Sequence, residues 1–347
     1  PGIYWTNDLD YGTNPCCFVG STKILTHEGY KEIKDCVGEN LLININGEVV
    51  NGLVWSNGEK DVIELYLSNK TKIRCTPEHK FMLIDENESE AQDSINKRIM
   101  PFYHINNEVN EFTKYGFIQG DGGLGRLTST SHLGLELNIG EKDLDIFTLF
   151  NINREENKTA YYVNGYNEVL KSLQFDPSAL PKRRFPKTFI FWDKKDKLLF
   201  LKGMYSANGS IIKNQRISYK TTSFQLAGEL LETLSSFGIK SYITTNKEKE
   251  VEFSNGTYTC KESYDINISR YESVLKFAEL IAFVHQYKNE SLKELILSKA
   301  PKVLSIKNVG KEEVFDFSLD DNTHWGVVEG VIAHNCEIAL RPFQFCN

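Results

Sequence analysis

A short-strand texture that breaks off and then resumes limits what this chain can fold into more than any other feature. Residues 17–83 carry closely spaced β-type runs: Lys23-Ile24-Leu25, Leu41-Leu42-Ile43-Asn44-Ile45, Val62-Ile63-Glu64-Leu65-Tyr66-Leu67, Lys72-Ile73-Arg74-Cys75 and Phe81-Met82-Leu83. Alternation through 62–67, and Asn46-Gly47 ahead of Glu48, are hairpin signals. Residues 84–98 are acidic and polar and read as a surface loop. From about 111 the pattern becomes helical, over 112–120, 197–207, 226–237 and 273–285, with strand-like runs at 251–253 and 264–268 between. From 303 the short strands return, at 303–306, 313–319, 325–328 and 330–333. The order β, α+β, β is that of one all-β domain interrupted by an α+β domain. The expected division is 1–16, 17–110, 111–297, 298–335 and 336–347, the first and last pieces being too short to fold alone.

At 347 residues, two or three domains is the natural expectation. No apolar run approaches the ~18 residues of a membrane span, and no signal-peptide pattern opens the chain; a monomer in the cytoplasm follows as the expectation, with no membrane partner. Seven cysteines, an odd number without a CxxC pair, argue against a disulfide framework or a zinc site. Cys16, Cys17 and Cys336 sit at two junctions, which points to reactivity. Net charge is −7. Residues 111–300 hold 26 Lys and Arg against 23 Asp and Glu, and the flanks 14 against 24, so only the centre suits a polyanion.

The junctions carry the chemistry. A thiol on one residue can attack the preceding carbonyl through a five-membered ring, so Cys17 can turn the Cys16–Cys17 peptide into a thioester. The step is uphill, and the site must strain the peptide or protonate its nitrogen. Thr76-Pro77-Glu78-His79 offers a hydroxyl and an imidazole for this. The thiol of Cys336 can then take the acyl group. Asn335 can close on its own carbonyl, form a succinimide and cut the chain before Cys336, with His324 and His334 as proton carriers. Phe18 and the spacing to Thr22 favour Cys17 over Cys16 as the first nucleophile. Oxidation of Cys17, with Cys336 rather than with Cys16, would block the first acyl shift.

Cys17 with Thr22, Thr76-x-x-His79, Asp316 with His324, and His334-Asn335-Cys336 together resemble an intein of the Hint fold. The resemblance implies autocatalytic protein splicing of the flanking extein segments in cis, without a cofactor. It implies that His79 activates the N-terminal scissile bond, that His324 and His334 assist Asn335, and that Asp316 coordinates the steps. The Asp316–His324 interval is one residue longer than the family's pattern.

Within the insert, Tyr115-Gly116-Phe117-Ile118-Gln119-Gly120-Asp121-Gly122 aligns with Leu201-Lys202-Gly203-Met204-Tyr205-Ser206-Ala207-Asn208-Gly209. Gly116 with Gly120, and Gly203 with Ala207, would let two helices pack at very short distance, the Gly122-Gly123-Leu124-Gly125 run ending the first. Asp121 at a helix C-terminus opposes the macrodipole, which suggests that it holds a cation. Residues 111–295 resemble a LAGLIDADG homing endonuclease, with Arg184-Phe185-Pro186-Lys187 and 231–239 as further blocks. That family cuts double-stranded DNA with a divalent cation, Mg²⁺, held by one acid from each motif. Asp121 matches the first acid; Asn208 stands at the second and can neither add charge nor act as a base. Lys182, Arg183, Lys213 and Arg216 are the expected phosphate contacts. The fold expected is therefore an all-β Hint splicing domain interrupted by an α+β LAGLIDADG endonuclease domain. A slow or conditional splicer that serves as an endonuclease, or a nuclease-inactive DNA-binding insert, are the alternatives.

Joining 16 to 336 gives Thr13-Asn14-Pro15-Cys16-Cys336-Glu337-Ile338, which resembles the active-site segment of the ribonucleotide reductase large subunit. Asn14, Cys16 and Glu337 match its Asn-x-Cys-x-Glu pattern. This implies a host protein and gives the chain itself no reductase activity.

Overall fold

The computed structural model describes residues 16–126, 133–155, 158–163, 183–253 and 256–335. The chain divides into two compact units. One draws on both ends, up to Phe102 and from Ala300 onward; the other is Tyr103–Lys299.

The first unit begins with β1 (Phe18–Val19), β2 (Lys23–Thr26), β3 (Gly29–Glu32), β4 (Gly38–Ile43), β5 (Val49–Leu67), β6 (Lys72–Cys75), β7 (Lys80–Met82) and β8 (Glu88–Glu90). The second runs α1 (Glu111–Asp121), β9 (Gly122–Arg126), β10 (Leu133–Asn138), α2 (Leu144–Phe150) and β11 (Ala160–Val163), then α3 (Lys194–Asn208), β12 (Gly209–Ile212), β13 (Arg216–Thr221) and α4 (Phe224–Ser236). It finishes with β14 (Tyr242–Asn246), β15 (Lys249–Phe253), β16 (Gly256–Cys260), β17 (Ser263–Ile268), α5 (Tyr271–Leu280) and α6 (Gln286–Ser298). The chain then returns to the first unit with β18 (Val303–Leu319), β19 (Trp325–Val328) and β20 (Val331–His334).

In the first unit β5 and β18 pair antiparallel along their lengths, from Leu67↔Val303 to Gly52↔Leu319. Residues from the two ends of the sequence thus share one ladder. The sheet order is β18-β1-β6-β5-β4-β2-β19-β20-β7-β8, with β3 on β2. Its core holds Phe18, Ile24, Leu42, Leu65, Ile73, Phe81, Phe317 and Val331. Residues 51–61, to which the sequence reading gave no element, are strand: β5 passes through Asn51-Gly52 and Asn57-Gly58 because β18 pairs with it from Gly52 onward. One expectation changes here. The polar stretch 84–98 is not a bare loop. It contains β8 and a 3₁₀ turn at Ala91–Asp93, and buries Ala91 and Ser94.

In the second unit α1 and α3 cross without room for side chains. A Cβ on Gly116 would lie 1.8 Å from Phe200 O, and one on Gly203 2.0 Å from Thr113 O. Asn110 caps α1 with its side chain in a box with Thr113, and Asp193 caps α3. Each helix passes directly into a strand, α1 into β9 and α3 into β12. The Gly122–Gly125 run ends α1, as expected, and does so as strand paired with β10. One apolar cluster joins α1 and α2 to β10 and β11. A larger one joins α3–α6 to the β12-β13-β17-β14 sheet. The helix expected over 273–285 stops at Leu280; Ala282 takes φ +54, and the next helix begins only at Gln286.

The division falls at 102/103 rather than 110/111 because the strap before α1 belongs to the second unit. Tyr103 and Ile105 pack on its core. The Asn106 N–H donates to Ala278 O at 2.9 Å. Lys202, buried in mid-helix, donates through Nζ to Asn106 O at 2.6 Å and Glu108 O at 2.8 Å.

Candidate functional site

The first junction is carried into the sheet by β1. Phe18 pairs with Phe315 of β18 on one side and Cys75 of β6 on the other. Cys17 is fully buried. Its N–H donates to Thr76 Oγ1 at 3.1 Å, and its carbonyl accepts from the Thr76 N–H at 2.9 Å. The turn after β6 thus grips both backbone polar groups of Cys17, which explains the Thr in the 76–79 motif. Three residues on, the His79 N–H donates to Thr76 O at 3.1 Å. The His79 ring lies against Phe18, centroids 4.1 Å apart, and Phe81, 5.0 Å. Neither ring nitrogen finds a full hydrogen-bond partner among the described residues, and the ring faces the backbone of Cys16. The Cys16 thiol points at Glu78 O, 3.8 Å away.

Asp316 reaches the Cys17 thiol from β18. Cys17 Sγ lies 4.0 Å from its Oδ2, while its Oδ1 accepts from the Phe317 N–H at 2.8 Å. Burial, and then the Asp316 carboxylate, push the Cys17 thiol up to about 12. Burial, and then the neighbouring His334, hold His79 down at about 3. Thiol and imidazole are both neutral near pH 7.

The second junction ends the β19–β20 hairpin, whose Ala333 pairs with Phe81 of β7. Asn335 is buried. Its N–H donates to His324 O at 2.9 Å. Its side-chain amide is oriented to donate to the same carbonyl at 2.6 Å and to accept from the Leu319 N–H at 2.9 Å. His324 holds φ +57, and its ring stacks on that of His334 with centroids 6.3 Å apart. Trp325 packs edge-on against His334, whose pKa burial lowers. A groove lined by His27, Asn51, Asp320, His324 and Asn335 opens onto this junction. Cys336 lies outside the described residues, as do Asn14, Glu337 and Lys182.

In the second unit Asp121 and Asn208 are the last residues of the two crossed helices. Asn208 Nδ2 donates to Gly120 O at 2.8 Å and so ties one helix end to the other. Asp121 is pushed up to about 6 by burial, against the pull of Arg183 and Lys288. Arg183 is not a phosphate contact. It is 5% exposed. One guanidinium nitrogen donates to Gln119 O at 2.9 Å and Gly120 O at 2.7 Å, and the other to Gly122 O. It neutralises the negative end of α1, a task a Lys-Arg-Arg run does not announce. Lys288 of α6 does the same for α3, donating to Ser206 O at 2.6 Å and Gly209 O at 2.9 Å. Burial lowers its pKa to about 8. Sequence reasoning missed Lys288, which carries no motif. Lys213 is exposed on the β12–β13 turn. Arg216 is half-buried, its Nε donating to Asn267 Oδ1 at 2.8 Å.

These residues do not fit a divalent cation between the helix ends. The two motifs supply one carboxylate between them, Arg183 and Lys288 act on it as cations, Asp143, the further carboxylate that acts on it, is bonded to His285, and the second motif offers an amide already bonded to backbone. Among the described residues no group of three or more His, Cys, Asp or Glu is arranged to hold a metal ion. Nor, among them, is any helix long and apolar enough to cross a membrane.

Residues 195–282, from the start of α3 through α5, match the family model of the LAGLIDADG-like domain. Over 316 residues the chain is 25% identical to the ATP-dependent DNA helicase Hel308 of Methanocaldococcus jannaschii, covering 83% of this chain and 26% of that protein. Over 69 residues it is 38% identical to the ribonucleoside-diphosphate reductase large subunit of Invertebrate iridescent virus 6, covering 20% of this chain and 7% of that protein. The chain thus spans about a quarter or less of these curated relatives. Among solved structures, a DnaB intein from Synechocystis sp. PCC 6803 aligns over 92% of this chain and 97% of its own, at 11% identity and a TM-score of 0.31. Mesophilic variants of the homing endonuclease I-DmoI align over 49% and 94%, at 16% identity and a TM-score of 0.35. The chain thus carries a LAGLIDADG-like stretch together with a β unit that holds both junctions.

Proposed function

We propose that the chain splices itself: residues 17–335, an all-β Hint domain interrupted by an α+β LAGLIDADG domain, leave, and Cys16 is joined to Cys336. In the first step Cys17 Sγ attacks the carbonyl carbon of Cys16. The carbon–sulfur bond forms, the carbon–nitrogen bond breaks, and the thiol proton passes by way of Asp316 to the freed amine. Thr76 fixes the scissile peptide through the Cys17 N–H. Neutral His79 faces the carbonyl side and can polarise it. Next, Cys336 Sγ takes the acyl group from Cys17 Sγ and gives its proton to the departing thiol. Asn335 Nδ2 then attacks its own carbonyl carbon, releasing the amine of Cys336 and leaving a succinimide, with His324 and His334 as proton carriers. A final shift from sulfur to nitrogen makes the Cys16–Cys336 peptide. Atoms balance at every step with no external cofactor.

The observation that carries this reading is buried Cys17, whose N–H is held by Thr76 of the first segment and whose thiol faces Asp316 of the last. The relatives support it in a second way. Most of this chain resembles a quarter of a DNA helicase, while a fifth resembles part of a reductase, as an element housed in unlike hosts would.

For the LAGLIDADG domain we propose binding of double-stranded DNA, with Lys213 and Arg216 on the β12–β13 hairpin meeting phosphate. Mg²⁺-dependent cleavage is not part of this reading, because the helix ends do not fit the ion.

Intact mass of the chain with a tag at each end, with and without reductant, tests the splicing reading. The expected result is a ligated tag-to-tag product plus a fragment with the mass of residues 17–335. A lasting uncut chain under both conditions sinks it.

A further inference from the structure

Cys17 Sγ has a second partner that no motif contains. Asn57 Nδ2 donates to it at 3.0 Å. Asn57 sits in mid-β5, where the ladder slips: Ser56 pairs with Phe315 and Glu59 with Glu313, so Asn57 and Gly58 together oppose the single residue Val314. This is a β-bulge, and Gly58 makes it by taking φ +74. The bulge aims Asn57 inward, while its neighbour Ser56 faces out and donates to Glu313 Oε1 at 2.9 Å. Val314, opposite the bulge, also pairs with Val19 of β1, so the bulge lies beside the strand that bears the nucleophile.

The thiol therefore has a direction. Its S–H faces the Asp316 carboxylate and its lone pair faces the Asn57 amide. Groups acting on it from the packed elements are Asp316 of β18, Lys60 of β5, Cys16 in its own segment and Cys75 of β6. Of the groups bonded to the sulfur, Asn57 is the one that favours the anion; the burial and the carboxylate oppose it.

We propose that Asn57 is a catalytic residue of the first acyl shift: its amide holds the Cys17 sulfur as the proton leaves toward Asp316 and turns the sulfur onto the Cys16 carbonyl. This rests on the splicing reading. As the carbon–sulfur bond forms, the negative charge on sulfur is spent and the amide is released. The bulge is thus a device for aiming one hydrogen bond.

The test uses the full tagged chain and follows thiol-induced cleavage at Cys16–Cys17 across pH. Asn57→Ala is expected to slow that cleavage about 10- to 100-fold and to move its pH–rate profile upward. Cleavage after Asn335 and the melting temperature should stay near the parent values. Asn57→Asp keeps the shape but sets a second carboxylate against the sulfur, so a larger loss is expected. Gly58→Ala has open space around its Cβ and disturbs only the backbone conformation; it should lose part of the rate with the amide still present. Ser56→Ala should lose nothing. A parent that cleaves while Asn57→Ala cleaves as fast, with the same profile, overturns the role of Asn57 and leaves splicing intact. A parent that does not cleave overturns both.

Discussion

His79 and Cys17 are adjusted by their surroundings more than by their neighbours in sequence. His79 titrates at about 3 in the fold, against ~6.5 for an exposed imidazole. The unfolded chain therefore binds a proton in that interval that the folded chain does not. The sign follows: the contribution to stability is complete above ~6.5 and is lost as pH falls toward about 3. Replacing His79 by Gln should flatten the fall of unfolding free energy between those limits, as read by urea titrations at several pH values. A slope equal to the parent's would mean that another group governs it. Thr76 and His79 stood out in the sequence because one tight turn sets both beside the Cys16–Cys17 peptide, Thr76 on the Cys17 N–H and His79 facing the Cys16 backbone. Arg183 was misread and Lys288 unread for one physical reason. A cation that serves a helix end inside the fold looks, as a letter, like a cation in water. Asn57 was hidden in the same way, in a dipeptide that usually marks a turn.

At the scale of elements, the α1–α3 crossing is fixed by what is missing from it. Gly203→Ala would drive a Cβ into Thr113 O, 2.0 Å away. It should destabilise the second unit by about 3 kcal/mol, or remove its cooperative melt. Gly228→Ala, on α4, meets nothing within 4 Å and should stabilise by roughly 0.5–1 kcal/mol through helix propensity. Thermal melting of the two variants tests the contrast; equal and opposite-to-expected shifts would mean that the helices do not meet at these glycines. This crossing was legible because small residues four apart have few other uses. The long β5 was not, because its middle is polar and glycine-rich and owes its extension to β18, some 250 positions away. Local pattern cannot report a partner that distant. The break between α5 and α6 was lost for the opposite reason, as apolar residues continue through Ile281, Phe283 and Val284.

For the whole molecule, the return of strand texture after 303 revealed two units, but not where the chain passes between them. The first unit answers that within itself. Arg98 bridges Lys302, the Ile99 N–H donates to Pro301 O at 3.0 Å, and the Val303 N–H donates to Lys97 O at 3.0 Å. The strand that leaves for Tyr103–Lys299 and the strand that comes back are thus paired neighbours, as on the two arms of a hairpin. Closing a loop costs entropy that rises only with the logarithm of its length. Replacing 103–299 by a turn of a few residues should therefore leave a folded β unit, with a cooperative melt no lower than the parent's. Loss of the melt would show that the excursion is needed to hold the arms together. If the arms hold, one in-frame deletion in a descendant gene could discard Tyr103–Lys299 and leave a β unit that still folds. Lineages would then be free to lose the excursion and inherit the rest.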